Sequence, residues 1–485
     1  MKLREVLADM AVTTITANAA AEQEIKGVTK DSREVREGMI FFATESSKPF
    51  LQDALERKAS VIVSDEPLPG DIPCLIITGD VRLLLARAAA RFYGFPSRQM
   101  SVTGITGTNG KTTVSYLLES IIRASGRKVG VIGTISSRYD GRALKKPNTT
   151  PESVEIQSLF REMLDHGAAH AVMEVSSHAL DQGRVEGVDF DCGVFTNLTH
   201  DHLDYHGDLE HYRQAKALLF HRYLRESTKE RKRAIINIDD PSAASLIPAP
   251  PVATLTYSAR VAADASLVSF DESINGLTLC LSLKGRRVAL STPLVGLFNI
   301  SNILAAALCG YAEGVGPEAI IEGIEALPGV PGRLERVATD RGFHIFVDYA
   351  HTPDALEKTM ETLNRLRSGR LIVVFGCGGN RDRSKRAVMG RLASQFADFT
   401  IITSDNPRNE EPRSIIEEIR AGMTGNTFTT IENRRTAIAE ALAMAKEKDV
   451  VLVAGKGHED YQIIGKVTYP FSDRAVIEES LRVAR

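Results

Sequence analysis

Nothing in this chain approaches the run of about twenty apolar residues that a membrane span requires. Its opening, Met1-Lys-Leu-Arg-Glu-Val-Leu-Ala-Asp9, puts charge where a secretory signal needs an apolar stretch. A cytoplasmic protein without a membrane partner is expected. Cysteine is scarce: Cys74, Cys192, Cys280, Cys309 and Cys377 lie far apart and form no C-x-x-C pair. That suits a reducing compartment and speaks against structural zinc. An excess of one charge is missing too, since 59 basic and 62 acidic side chains leave a formal net charge of -3 without a basic tail or stripe. Nucleic acid is not an expected partner, and any affinity for phosphates must come from local loops. Fixed-period repeats and low-complexity tracts are absent as well.

What is present is an ordinary globular composition, 43% hydrophobic and 25% charged. The 485 residues allow two to four domains. Three blocks emerge, and an α/β fold of three domains is expected, divided at 1–99, 100–332 and 333–485. The first holds β-like runs at Ile40-Phe-Phe-Ala and Val61-Ile-Val-Ser, and a helix over Val81–Tyr93 that stops at Gly94-Phe-Pro96. The second alternates strands with helices: a β-branched run from Met100, a helix to Ser125-Gly126, a strand at Val129–Gly133, a helix over Val154–Asp165 and a strand at His170–Val175. Such alternation predicts a parallel sheet. A Pro/Gly-rich hinge at Leu327–Gly332 precedes the third block, with strands at Leu371–Phe375, Phe399–Thr403 and Val450–Ala454. Each of these three leads into a polar cluster at a strand's carboxyl end, where open α/β sheets bind ligands.

The sharpest local signal is Gly107-Thr108-Asn109-Gly110-Lys111-Thr112-Thr113 between a strand and a helix. Glycines let backbone N–H groups close around phosphate oxygens, and the helix N-terminus adds a favourable dipole. Lys111 can neutralise the β- and γ-phosphates, and the Thr112 hydroxyl can reach Mg2+. Strict P-loop spacing would place glycine where Ile105 stands, so the strand–loop–helix context carries the reading. Glu174, at the end of an apolar strand, and Asn197-Leu-Thr-His-Asp-His202 supply oxygen and imidazole ligands. With Thr112 they suffice for Mg2+, which takes few protein ligands beside phosphates and water. Tyr212–Phe220 reads as helical. Spacing alone makes Lys216 a surface lysine with its stem along apolar neighbours.

Taken together, these segments resemble the Mur ligases, a family similar to folylpolyglutamate synthases. The loop at Gly107–Thr113, Glu174, Asn197–His202, Lys216, Asn299-Ile-Ser-Asn302, Arg333 in Pro-Gly-Arg-Leu-Glu, and Asp348-Tyr-Ala-His351 occur in family order. The resemblance implies a central parallel-sheet P-loop ATPase domain, a smaller N-terminal UDP-binding domain and a C-terminal Rossmann-like lid. It implies catalytic roles for Lys111, Lys216 and His202, and a CO2-derived carbamate on Lys216 that joins Thr112, Glu174 and His202 on the metal. A partly buried lysine with a lowered pKa can react in this way as the neutral amine. Asn299 and Asn302 are expected at the adenine, with Arg333, Asp348 and His351 meeting the nucleotide from the lid.

For the UDP-muramoyl dipeptide, the resemblance points to Ser32 in Asp31-Ser-Arg33, Asn148, Thr149, Thr150, Ser176, Gln182 and Arg184. One segment departs from the family: Ala43–Phe50 stands where a G-x-x-x-D-G-x-x-F stretch is usual, and runs directly into a helix. Asp405-Asn406-Pro407-Arg408 resembles ligases that add meso-diaminopimelate rather than L-lysine. The acceptors differ by a distal carboxylate, which an arginine fork suits. Arg381, Gly455 and Glu459 should complete that pocket, with Glu459 on the distal ammonium. The implied reaction is ATP-dependent ligation through an acyl phosphate, by a monomer acting on small molecules. Alternatives are a lysine-adding or folate-type ligase or, from another class, a nucleotide-gated binding protein.

Overall fold

The computed structural model describes residues 1–14, 21–68, 72–145 and 148–483. Two compact units emerge. One comprises Met1–Leu267, Leu281–Val288 and Ser301–Gly323; the other comprises Val268–Cys280, Ala289–Ile300 and Ile324–Arg485.

The first unit begins with a small sheet in the order Thr13–Thr14, Leu75–Ile77, Val61–Ser64, Met39–Phe42, Gly27–Thr29. All its pairings are parallel except the first. Ile40, Phe42, Val61 and Val63 face the helix Val81–Phe92 and pack on Leu84, Leu85, Ala88 and Ala89. The alternate residues Phe41 and Ile62 pack with Ala54 in a second cluster. Burial on both faces is why these strands read as continuous apolar runs. The segment Ala43–Phe50 forms a turn and a 3-10 stretch, Lys48–Phe50, before the helix Leu51–Glu56.

A larger sheet follows, with Ser101–Thr106 between two parallel neighbours, His170–Glu174 and Cys192–Phe195. Val129–Ile132 continues it beyond His170–Glu174, while Arg233–Asn237 and Ala253–Ser258 continue it beyond Cys192–Phe195, all in parallel. Register pairs Glu174 with Ile105 and Phe195 with Thr106. Three strands therefore end side by side, and Gly107, Glu174 and Thr196 leave one edge together. The central sheet is parallel as expected, and a hairpin is added at its edge. Ser137–Tyr139 and Arg142–Leu144 extend it in antiparallel fashion past Val129–Ile132. Their hairpin turns at Asp140 and Gly141, both at positive φ, the backbone of a two-residue primed turn. Strands of three residues are too short to show the apolar run that marks the others.

The second unit holds a sheet in the order Glu335–Val337, His344–Asp348, Val450–Ala454, Leu371–Phe375, Phe399–Ile402, Phe428–Thr430. Only the first pair is antiparallel. The ends of the four inner strands bring Asp348, Gly455, Gly376 and Thr403 to a common edge. Helices Pro353–Leu366 and Ser384–Phe396 lie on one face of this sheet, over Phe346, Val373 and Leu452. Arg434–Met444 and Asp473–Val483 lie on the other, over Ile345, Val374 and Val453. Among the described residues no helix is long and apolar enough to cross a membrane.

Candidate active site

The strand Ser101–Thr106 turns sharply at Gly107 and enters the helix Lys111–Ala124 through Gly110, which caps it with φ 88°. Side chains are excluded at both glycines. A Cβ on Gly107 would lie 1.8 Å from Thr196 Oγ1, and one on Gly110 would lie 2.3 Å from Asn302 Oδ1. The neighbouring strand's loop holds the turn open: Thr108 N donates to Asn197 O at 2.8 Å, and Asn109 N to Asn197 Oδ1 at 2.9 Å. Lys111 Nζ lies over the loop, 2.8 Å from both Gly107 O and Thr108 O. This is a phosphate cradle at a helix N-terminus.

Beside it, buried Glu174 accepts from Thr112 Oγ1 at 2.9 Å and from Thr134 Oγ1 at 2.8 Å, both on Oε2. Thr134 N donates to the other oxygen at 3.0 Å. An octahedral Mg2+ with oxygens at about 2.1 Å has edges of about 3.0 Å, so the Thr112 and Glu174 oxygens are already spaced as adjacent ligands. The donor set fits that ion. His202 stands on the next loop with its side chain 47% accessible and its ring 4.9 Å from that of His178. Burial is the main cause that lowers the His202 pKa, which favours the neutral, ligating imidazole. Among the described residues no hydrogen bond joins His202 to Glu174 or Lys216.

Lys216 is not a surface lysine. It is 1% exposed on the helix Leu209–Leu218, where its Nζ donates to Gly107 O at 2.9 Å and sits 4.2 Å from the Tyr212 ring centroid. No ion pair reaches it among the described residues. Burial above all, and then the Lys111 charge, hold its amine well below the ordinary lysine range. The nucleophilic neutral form is thereby favoured beside the phosphate loop.

A second cluster adjoins Glu174. Thr150 Oγ1 donates to Glu174 O at 2.9 Å and accepts from Ser176 N at 3.0 Å. Thr149 Oγ1 is 3.1 Å from Thr134 Oγ1. Arg184 donates to Thr150 O at 3.0 Å and to Gln182 Oε1 at 2.6 Å. Glu152 bridges Arg184 at 3.3 Å and Lys30 at 2.8 Å, which brings the segment around buried Ser32 to the same neighbourhood. Asn148 is exposed at its rim.

In the second unit, Asp348 is buried and accepts from Leu334 N at 2.6 Å and Ala350 N at 2.9 Å. Burial raises its pKa despite these donors. Arg333 lies 5.0 Å over the Tyr349 ring, and exposed His351 is 2.8 Å from Tyr349 O. Farther along this edge Arg408, at φ 52°, donates through Nη1 to Gly379 O at 2.9 Å. Its backbone is gripped by the hairpin Tyr461–Ile464/Val467–Pro470: Arg408 N donates to Ile463 O at 3.0 Å, and Gly465 N to Arg408 O at 2.7 Å. Asn406 Nδ2 donates to Glu459 Oε2 at 2.8 Å. Gly455 stands at φ 112°, a backbone that favours glycine, and a Cβ there would meet Asp405 Oδ2 at 2.9 Å. Arg381 is exposed on the adjacent loop.

Profiles of two protein families match the chain, the Mur ligase middle domain over residues 105–310 and the Mur ligase glutamate ligase domain over residues 332–457. The UDP-N-acetylmuramoyl-L-alanyl-D-glutamate--2,6-diaminopimelate ligase of Geobacter metallireducens is 45% identical, with 96% of each chain covered. The protein of the same name from Geobacillus thermodenitrificans is 41% identical over 95% of this chain and 96% of its own. The chain belongs to the Mur ligase family. A solved structure bearing the same enzyme name superposes with TM-score 0.73 at 33% identity, covering 100% of this chain and 99% of that one. A folylpolyglutamate synthase from Mycobacterium tuberculosis shares the fold at TM-score 0.62 and 20% identity, over 77% of this chain and 92% of its own.

Mur ligases are ATP-dependent, ADP-forming peptide ligases, and the phosphate cradle is where such an enzyme needs one. Within the first unit of this Mur ligase, the loop Gly107–Thr113, Glu174, Lys216 and Asn302 come together, and Thr149, Thr150, Ser176, Gln182 and Arg184 gather beside them. Asn299 stands on the same helix as Asn302, Phe298–Ala312, with its amide on Val295 O at 2.8 Å. Sequence reasoning passed over Thr134, Thr196, Tyr212 and Lys456, all of which touch predicted site residues. The first two are single hydroxyls after strands and carry no motif. Lys456 stood in plain view between Gly455 and Glu459.

Proposed function

We propose that this Mur ligase joins meso-diaminopimelate to the D-glutamate of UDP-N-acetylmuramoyl-L-alanyl-D-glutamate, cleaving ATP to ADP and phosphate. The observation that carries the reading is the acceptor edge of the second unit. There an arginine fork, Arg408, and a carboxylate, Glu459, stand on two turns tied together through Asn406. Relatives at 41% and 45% identity whose names state this reaction support it.

The γ-carboxylate of the D-glutamyl residue attacks the γ-phosphate in line, and Lys111 turns from the loop carbonyls to the charge that spreads over the phosphate oxygens. The acyl phosphate so formed is attacked by the acceptor's amine, and a tetrahedral intermediate collapses to amide and inorganic phosphate. Mg2+ held by Thr112, Glu174 and His202, with Lys216 as its carbamate, would neutralise charge at the transferring group. Lys216 reaches that state when its neutral amine adds to CO2 and releases a proton. Asn299, Asn302, Arg333, Asp348 and His351 serve the nucleotide. Ser32, Asn148, Thr149, Thr150, Ser176, Gln182 and Arg184 serve the UDP-muramoyl dipeptide. Arg381, Asp405, Asn406, Pro407, Arg408, Gly455 and Glu459 form the acceptor pocket. We assign UDP-sugar binding to residues 1–99, ATP-driven ligation to 100–332 and acceptor binding to 333–485, in a cytoplasmic monomer.

The decisive assay measures ADP release with purified UDP-muramoyl dipeptide and a panel of free amino acids. Turnover that depends on meso-diaminopimelate is expected. Basal hydrolysis alone would identify a nucleotide switch, and a preference for L-lysine would reassign the acceptor.

A further inference from the structure

Between the strand Val450–Ala454 and its following hairpin, the chain turns on two glycines in the left-handed region, Gly455 at φ 112° and Gly457 at φ 54°. Lys456 lies between them, and the turn sends its side chain inward, where none of it is exposed. Its Nζ donates to Asn406 Oδ1 at 3.1 Å and to Glu459 Oε2 at 2.9 Å. Asn406 Nδ2 donates to that same Oε2 at 2.8 Å, so ammonium, amide and carboxylate close a ring. Ile463 N also donates to Asn406 Oδ1, at 3.0 Å. Two donors on one side of the amide fix which of its ends is oxygen, and so turn its NH2 toward Glu459.

A wholly buried ammonium is costly unless paired, and an apolar side chain of similar length would fill the space at no such cost. The position of the charge is therefore informative. Glu459 Oε2 is saturated by two short bonds, whereas Oε1 carries among the described residues only a 3.4 Å bond from the Tyr461 hydroxyl. We infer that Lys456 is a positioning residue that locks Glu459 through Oε2, together with Asn406, so that Oε1 faces the distal ammonium of the acceptor. This rests on the reading that Glu459 receives that ammonium. Lys456 then governs selection between acceptors with and without a distal amine, and touches no substrate itself.

The test replaces Lys456 by Met and compares meso-diaminopimelate with 2-aminopimelate, which keeps the carbon chain and the distal carboxylate but lacks the distal amine. Lys456→Met should lower kcat/KM for diaminopimelate by roughly tenfold or more, mainly through KM, and leave 2-aminopimelate little changed. Equal losses on both acceptors, or none on either, would overturn the inference. The same substitution made in a Glu459→Gln background should not shift the acceptor ratio further, because the carboxylate it acts through is gone. A further shift there would also overturn it, and this comparison stands even if the single variant does not fold. A wild-type enzyme that used both acceptors equally well would instead refute the role given to Glu459.

Discussion

At the scale of single residues, two lysines share one carbonyl and do different work. Lys111 and Lys216 both donate to Gly107 O, yet only Lys216 is shut away from water. Removing Lys111 as Lys111→Ala should cut ligation by roughly a thousandfold or more, with thermal unfolding unchanged, since its charge acts on phosphate rather than on the fold. Near-normal turnover would refute that role. Lys216→Ala should also lose most activity, and short carboxylates such as acetate should partly restore it by standing in for a carbamate. An active alanine variant would remove the carbamate from the mechanism. The depressed pKa of Lys216 has a consequence for stability. The unfolded chain binds a proton at the ordinary lysine value of about 10.4 while the folded chain releases it at lower pH, so between those limits stability rises with pH. In bicarbonate-free buffer Lys216→Met should therefore raise the melting temperature at about pH 7. The gain should shrink toward about pH 10, where unfolded lysine no longer prefers its proton. A gain independent of pH would mean the burial is not costing a charge.

At the scale of elements, loops after strands hold nearly all the chemistry. Gly107→Ala would force φ 147° on a residue with a Cβ, and set that Cβ 1.8 Å from Thr196 Oγ1. Strain of about 1–3 kcal/mol is expected, read as weaker nucleotide binding in a titration with ATP. The turn Asp405–Arg408 carries the acceptor prediction. Losing a charge-assisted pair at a desolvated site costs about 2–5 kcal/mol. Arg408→Ala should accordingly lower kcat/KM for diaminopimelate by roughly two to three orders of magnitude. L-lysine, lacking the distal carboxylate, should change far less. If the KM for ATP rose in parallel, the turn itself would have collapsed. These elements were legible in the sequence because buried parallel strands are uninterrupted apolar runs, and the loops that follow them are dense in glycine and charge. The hairpin Ser137–Tyr139/Arg142–Leu144 was not, since strands of three residues are too short to show a periodicity. Lys216 was misread by spacing for a different reason. Its amine is held inside by a carbonyl 109 positions away in the chain, and no local pattern encodes that contact. Lys456 escaped notice because a lone lysine between glycines looks like a solvated turn.

At the scale of the whole molecule, the first unit is seamed by charge between its opening sheet and the larger one. Glu186, scarcely exposed, takes Arg87 from the helix Val81–Phe92 at 3.0 Å and Arg222 at 2.7 Å, while Arg98 pairs with Asp189 at 2.9 Å. Glu186→Ala would release two partly exposed guanidinium groups to water, at about 0–1 kcal/mol for each pair lost, and lower the melting temperature slightly. An unchanged melting temperature would show the seam to be ornamental. The second unit is built from three stretches of chain, and Val295 and Ile274 pack in the same cluster as Leu334, Phe346 and Leu356. Recombination between relatives must respect that arrangement. A crossover at the glycine-rich stretch before Arg333 would look neutral in an alignment, yet it would give the incoming sheet a foreign Ile274 and Val295 against its own core. Shuffled genes that exchange residues 268–280 and 289–300 together with the C-terminal part should survive selection far more often than those that cut only at 332.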